Sequence, residues 1–160
     1  MRHVLSIVVE NKPGVLARVS ALFARRGYNI ESLAVGETED PTVSRITMVV
    51  SGDESILEQI TKQLHKLIDI VKIIDLTSTS YVDREMLLIR INVTPTTRPE
   101  IMQIVDIFRA RIVDVSKKTM VIEATGNEGK VKAIRDLLKR FGVIELVRTG
   151  KIALSRGEKK

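Results

Sequence analysis

Apolar residues along this chain change period several times, and each change marks an element. Leu5-Ser6-Ile7-Val8-Val9 is almost continuously apolar, as expected of a strand in the middle of a sheet. From about Pro13 the spacing becomes helical: Val15, Leu16, Val19, Leu22 and Phe23 form one stripe, with Arg18, Arg25 and Arg26 outside it. Gly27 stops that helix. Tyr28 to Val35 alternates as a strand, residues 37–42 make a polar turn, and Val43 to Val50 is rich in β-branched residues, so the pair predicts a hairpin. Ser51-Gly52-Asp53-Glu54 reads as a capping box, opening a helix whose stripe is Ile56, Leu57, Ile60, Leu64 and Leu67. Ile70 to Leu76 is a fourth strand, and Thr77-Ser78-Thr79-Ser80 is a polar break. The order is βαββαβ.

The second half repeats the plan. Met86 to Val93 is a strand, and Pro99-Glu100 opens a helix with the stripe Ile101, Ile104, Val105 and Phe108. Residues 112–115 and 119–124 pair across a turn at Lys117. Thr125-Gly126-Asn127-Glu128 matches the first capping box in type at every position, and Val131, Ile134, Leu137, Leu138 and Phe141 give the last helix. Residues 143–147 close the pattern, and Ser155 to Lys160 reads as a basic tail. The expected fold class is α+β, with two ferredoxin-like βαββαβ domains at 1–78 and 79–160. Each predicted sheet carries helices on one face and leaves the other bare. So small a unit covers little apolar surface alone, which predicts a homodimer or larger assembly built on the first half.

Composition narrows the chemistry. The chain has no cysteine and only His3 and His65, which removes thiolate catalysis and disulfides and makes a transition-metal centre unexpected. No apolar run approaches membrane-spanning length and the N-terminus has no signal-peptide pattern, so the expected address is cytoplasmic, without a membrane partner. The net charge of +6 is uneven. Residues 1–80 hold nine Lys and Arg against ten Asp and Glu, whereas residues 81–160 hold seventeen against ten. A basic half admits a nucleic-acid partner, but aromatics are only 3% of the chain, and neither a base-stacking strand motif nor a helix-turn-helix pattern occurs. No nucleic acid is expected. No Gly-rich phosphate loop and no nucleophile-base motif is present either, so no catalytic residue is assigned.

What remains is the junction Glu10-Asn11-Lys12-Pro13-Gly14-Val15-Leu16. Amides in the first turn of a helix lack internal acceptors and lie at the positive end of the helix dipole, so they can hold a carboxylate without a cationic side chain. Gly14 would let a ligand approach the backbone, and Asn29 offers an amide that both donates and accepts. Together they suit an amino acid. The same residues also serve as ordinary punctuation, with Asn11 as a helix cap, Pro13 in a first turn and Gly27 at a helix end.

Residues 8–19 (VVENKPGVLARV) and 22–33 (LFARRGYNIESL), with Ser44-Arg45-Ile46-Thr47, residues 58–67, Arg84-Glu85 and Leu154-Ser155-Arg156-Gly157, closely resemble the ACT-domain small regulatory subunit of acetohydroxyacid synthase, also called acetolactate synthase. The resemblance implies a non-catalytic chain that binds the large catalytic subunit, raises its activity and confers feedback inhibition by valine or a related branched-chain amino acid. Thiamine diphosphate, magnesium and FAD would belong to the large subunit, with no cofactor on this chain. It further implies that two ACT domains pair side by side, with Asn11, Gly14, Val15 and Leu16 on one side of the effector and Asn29 and Ile30 of the second chain on the other. Val15, Leu16, Ile30 and Leu33 would wall a branched aliphatic side chain. A free-standing amino-acid sensor, or a nucleic-acid-binding regulator, is the alternative.

Overall fold

The computed structural model describes residues 1–157. Three residues of the expected basic tail, Glu158, Lys159 and Lys160, lie outside the described residues. The described chain divides into two compact units, 1–82 with 151–157, and 83–150. A cut at 78/79 therefore differs from the observed division chiefly at the C-terminus, where the chain returns to the first unit.

In the first unit, β1 (Arg2–Glu10), β2 (Asn29–Glu37), β3 (Val43–Ser51) and β4 (Ile70–Asp75) form an antiparallel sheet in the order β2-β3-β1-β4. Helices α1 (Val15–Arg25) and α2 (Glu54–His65) pack on one face. Their stripes bury Val15, Val19, Phe23, Leu57, Ile60 and Leu64 against Leu5, Ile7, Val9, Ile46, Met48 and Val50, the alternate positions of β1 and β3. Burying a side chain of this size contributes about 1.5–3 kcal/mol, so this layer dominates the stability of the unit. Phe23, fully buried, meets Tyr28 edge-on with ring centroids 6.2 Å apart, which packs the end of α1 against the start of β2.

The opposite face of that sheet is covered in part, where a fully bare face was expected. Val4, Val49 and Leu76 on it are buried with Ala153, and Tyr81 packs against them. Ala153 belongs to a short strand, β9 (Ile152–Ser155), whose last residue is the first of the expected basic tail. β9 pairs with β5 (Tyr81–Asn92), and Arg156 N–H donates to Ser80 O at 2.8 Å. The four residues of Ile152-Ala153-Leu154-Ser155 were too few to stand out as a strand.

The second unit has the sheet order β6-β7-β5-β8, with β6 (Arg111–Val115), β7 (Thr119–Gly126) and β8 (Val143–Arg148). Helices α3 (Arg98–Ile107) and α4 (Glu128–Leu138) bury Ile101, Ile104, Val131, Ile134 and Leu138 against Leu87, Ile89, Ile91 and Ile122. Its helix-free face does expose apolar side chains, Leu88 and Val147 among them. The duplicated architecture holds, but both capping boxes are displaced. Ser51 and Thr125 are still in strands, where the ladder occupies their backbones, and the caps are Asp53, accepting from Ser55 N–H, and Asn127, accepting from Lys130 N–H.

No helix among the described residues is long and apolar enough to cross a membrane.

Candidate functional site

The corner between β1 and α1 is tied down on both sides. Glu10 N–H donates to Asp69 O and Asn11 N–H to Thr42 O, each at 2.8 Å, so the loop before β4 and the β2–β3 turn hold the end of β1. Gly14 then turns the chain with φ +85°, a left-handed conformation that side chains disfavour. A β-carbon on Gly14 would meet nothing within 4 Å. Glycine is therefore required by conformation, and the space above it is open to a ligand.

The helix starts at Val15, one residue past this turn, so Pro13 lies outside it. Val15 N–H reaches Lys12 O at 3.4 Å, closing the turn around Pro13, and Arg18 N–H donates to Gly14 O at 3.1 Å. Between them the N–H groups of Leu16 and Ala17 have no acceptor among the described residues. Gly14, in the cap position, brings no side-chain oxygen to them. These two amides sit at the positive end of the helix dipole and can accept an anion.

Neighbouring cations do not compete for that anion. Lys12 Nζ lies 2.8 Å from Glu10 Oε2, a contact that raises the Lys12 pKa above its usual value, chiefly through the hydrogen bond and then through the charge of Glu10. Arg18 is paired with Asp69 across the base of the helix. The backbone, not a free cation, supplies the positive potential at the corner.

Asn11 does not cap the helix. Its Nδ2 donates to Glu37 Oε1 at 3.1 Å and to Pro41 O at 3.0 Å, fastening the corner to the end of the β2–β3 hairpin. Asn29 lies at the far end of β2, opposite Ser51 and exposed. Eight residue steps of about 3.3 Å separate it from Glu37, roughly 26 Å along the strand. One chain therefore keeps Asn11 and Gly14 apart from Asn29 and Ile30. β2 is also an edge strand, with its outer backbone groups unpaired within the sheet.

The apolar residues sort by burial. Val15 is only 3% exposed and its side chain is part of the core, so only its backbone is at the corner. Leu16, Ile30 and Leu33 are half-buried, with surface to spare. Val35, 49% exposed, lies on the same face of β2 as Leu33, because their partners Ile46 and Met48 both point to the helices. Sequence reading passed over Val35 and placed Glu37 in a turn. The signal was the alternation Leu33, Val35, Glu37, which runs β2 two residues past the end assigned to it.

Among the described residues, no group of three or more His, Asp or Glu is placed to hold a metal ion.

Residues 5–72 match the family model of the AHAS small subunit-like ACT domain, and residues 84–157 match that of the small subunit of acetolactate synthase. The chain is 54% identical to the probable acetolactate synthase small subunit of Archaeoglobus fulgidus over 160 residues, covering 100% of both. It is 51% identical to the acetolactate synthase small subunit of Mycobacterium leprae over 155 residues, 97% of this chain and 92% of that protein. The crystal structure of the acetolactate synthase small subunit from Thermotoga maritima superposes with a TM-score of 0.88 at 43% identity, covering 99% of each chain.

Proposed function

This chain belongs to the acetolactate synthase small-subunit family, and from that premise we propose that it is a regulatory subunit that binds a branched-chain amino acid and reports it to the large catalytic subunit. In this reading the chain performs no chemical step, and thiamine diphosphate, magnesium and FAD belong to the large subunit. The observation that carries the reading is the separation along β2: Gly14 and Asn11 stand at one end of an open edge strand and Asn29 at the other.

Two copies remove that separation. If β2 edges pair antiparallel about a two-fold axis near Leu33, the Glu37 end of each strand lies beside the start of the partner's β2, and the corner of each chain meets the strand start of the other. Main-chain hydrogen bonds along β2 would complete the edge. The effector carboxylate then docks on the Leu16 and Ala17 amides, and its ammonium on Asn11 Oδ1 and the partner's Asn29. Its side chain lies against Leu16, Leu33 and Val35. Valine, leucine and isoleucine differ by single methylenes, each worth about 1–3 kcal/mol in such a pocket.

Inhibition follows because a ligand bridging two chains binds one arrangement of the pair more tightly than others, and the large subunit senses that arrangement. Calorimetry with valine, leucine and isoleucine, on this chain alone and with the large subunit, tests the proposal. Saturable binding of at least one of them over the concentration range that inhibits the reconstituted synthase is expected. Inhibition without any binding to this chain would overturn it.

A further inference from the structure

Glu37 is the last residue of β2 and touches Asn11, but the reading above gives it no role. The two hydrogens of the Asn11 amide are engaged by Glu37 Oε1 at 3.1 Å and Pro41 O at 3.0 Å. Both donors thus point to the hairpin. The amide oxygen faces away from them and accepts from no donor among the described residues. The second carboxylate oxygen of Glu37 likewise has no donor among the described residues, and the residue is exposed.

The cations close to the corner are engaged elsewhere. Lys12 is held by Glu10 and Arg18 by Asp69, while Arg45 reaches Ser6 Oγ at 3.4 Å. Glu37 also shares its face of β2 with Val35 and Leu33, since Ser44, Ile46 and Met48 alternate opposite them on β3. The corner presents two open amides that attract an anion and two open oxygens, one of them a carboxylate's, with the apolar side chains of Val35 and Leu33 following Glu37 on the same face of β2. That is the complement of a zwitterion with an aliphatic side chain.

We propose that Glu37 is the counter-charge for the effector's α-ammonium and orients Asn11 beside it, so that the site takes free α-amino acids and rejects the 2-oxo acids of the same carbon skeleton. The proposal rests on the effector site argued above. A 2-oxo acid keeps the carboxylate and the branched chain but brings a carbonyl oxygen to a carboxylate, where lone pairs oppose each other. An ammonium brings three donors.

The test is calorimetry on the full chain with two probes, valine and 3-methyl-2-oxobutanoate, comparing the unmodified protein with Glu37→Gln and Gly14→Asp. Glu37→Gln keeps an acceptor for Asn11, removes the charge and turns the second oxygen into a donor. Valine is expected to bind the unmodified chain at least about tenfold tighter than the 2-oxo acid. In Glu37→Gln valine should weaken about ten- to a hundredfold, while the 2-oxo acid, no longer opposed by a carboxylate, should bind at least as tightly as before. If Gly14→Asp abolishes valine binding but Glu37→Gln preserves the discrimination, Glu37 has no such role and the corner remains the effector site. If the unmodified chain fails to discriminate, the ammonium is not recognised here and the inference falls. If valine binding is unchanged by Gly14→Asp as well, both the inference and the site assignment fall.

Discussion

Gly52 faces the ring of Tyr28 so closely that a β-carbon built on it would stand 2.6 Å from Cε1 and 2.7 Å from Cζ. The ring has little room to yield, since Phe23 meets it edge-on and its hydroxyl donates to Asp53 O. Tyr28 directly precedes Asn29, so the start of β2 is positioned by this contact. Gly52→Ala is expected to destabilise the protein by about 1–3 kcal/mol in urea unfolding, the usual cost of overpacking. Because Asn29 moves with Tyr28, the affinity for branched-chain amino acids should fall as well, as calorimetry would register.

The Tyr28 phenol is pushed above its ordinary value of 10.0, chiefly by burial and further by the charges of Asp53 and Glu54, against a lowering hydrogen bond from the Leu57 backbone. The folded chain therefore favours the neutral phenol. In the unfolded chain a tyrosine ionises near pH 10, so this contribution is complete below about pH 10 and is lost as pH rises through the folded value. Urea unfolding from pH 8 to 11.5 should show an alkaline decline. Tyr28→Phe should be less stable at pH 8, having lost the bond to Asp53, but should decline less steeply above pH 10.

Gly14 combines a left-handed backbone with open space, which lets charge be separated from shape. Asparagine tolerates that conformation far better than most residues and matches aspartate in size. Gly14→Asp is expected to abolish feedback inhibition in the reconstituted synthase while leaving activation largely intact, because its carboxylate occupies the anion position. Gly14→Asn should retain part of the inhibition. Equal, unimpaired inhibition in both variants would exclude the corner as the effector site.

Ala153 ties the C-terminal segment to Val4, Val49 and Leu76. A chain ending at Gly150 uncovers those residues and loses the bond from Arg156 N–H to Ser80 O. Such a truncation is expected to lower the thermal midpoint by several degrees and to increase aggregation, measured by differential scanning fluorimetry and light scattering. A fragment ending at Ser80 suffers the same loss. Separating effector binding from activation therefore requires keeping residues 151–157, for instance on a short linker.

The elements themselves were legible because their signals are local. Val15, Val19, Leu22 and Phe23 recur at helical spacing, Gly27 stops the helix with φ +75°, and the offset between the helix caps Asp53 and Asn127 preserves the duplication even though the caps lie two residues beyond Ser51 and Thr125. A shift of this kind is decided by the ladder: Ser51 pairs with Arg2 and Asn29, and a residue bound in a sheet is not released to cap a helix.

The sequence by itself determined two βαββαβ units and a glycine at a strand-to-helix junction, since periodicity and backbone preference act over a few residues. Only the tertiary structure decided that Val15 is too deeply buried to wall a ligand, that Ala153 packs on Val4, Val49 and Leu76 of the sheet face opposite the helices, and that Asn11 spends both of its hydrogens on the hairpin rather than on the helix. Glu37 lies 26 residues from Asn11 along the chain. Their meeting depends on how β1, β3 and β2 register side by side, a collective outcome of packing that no local window contains.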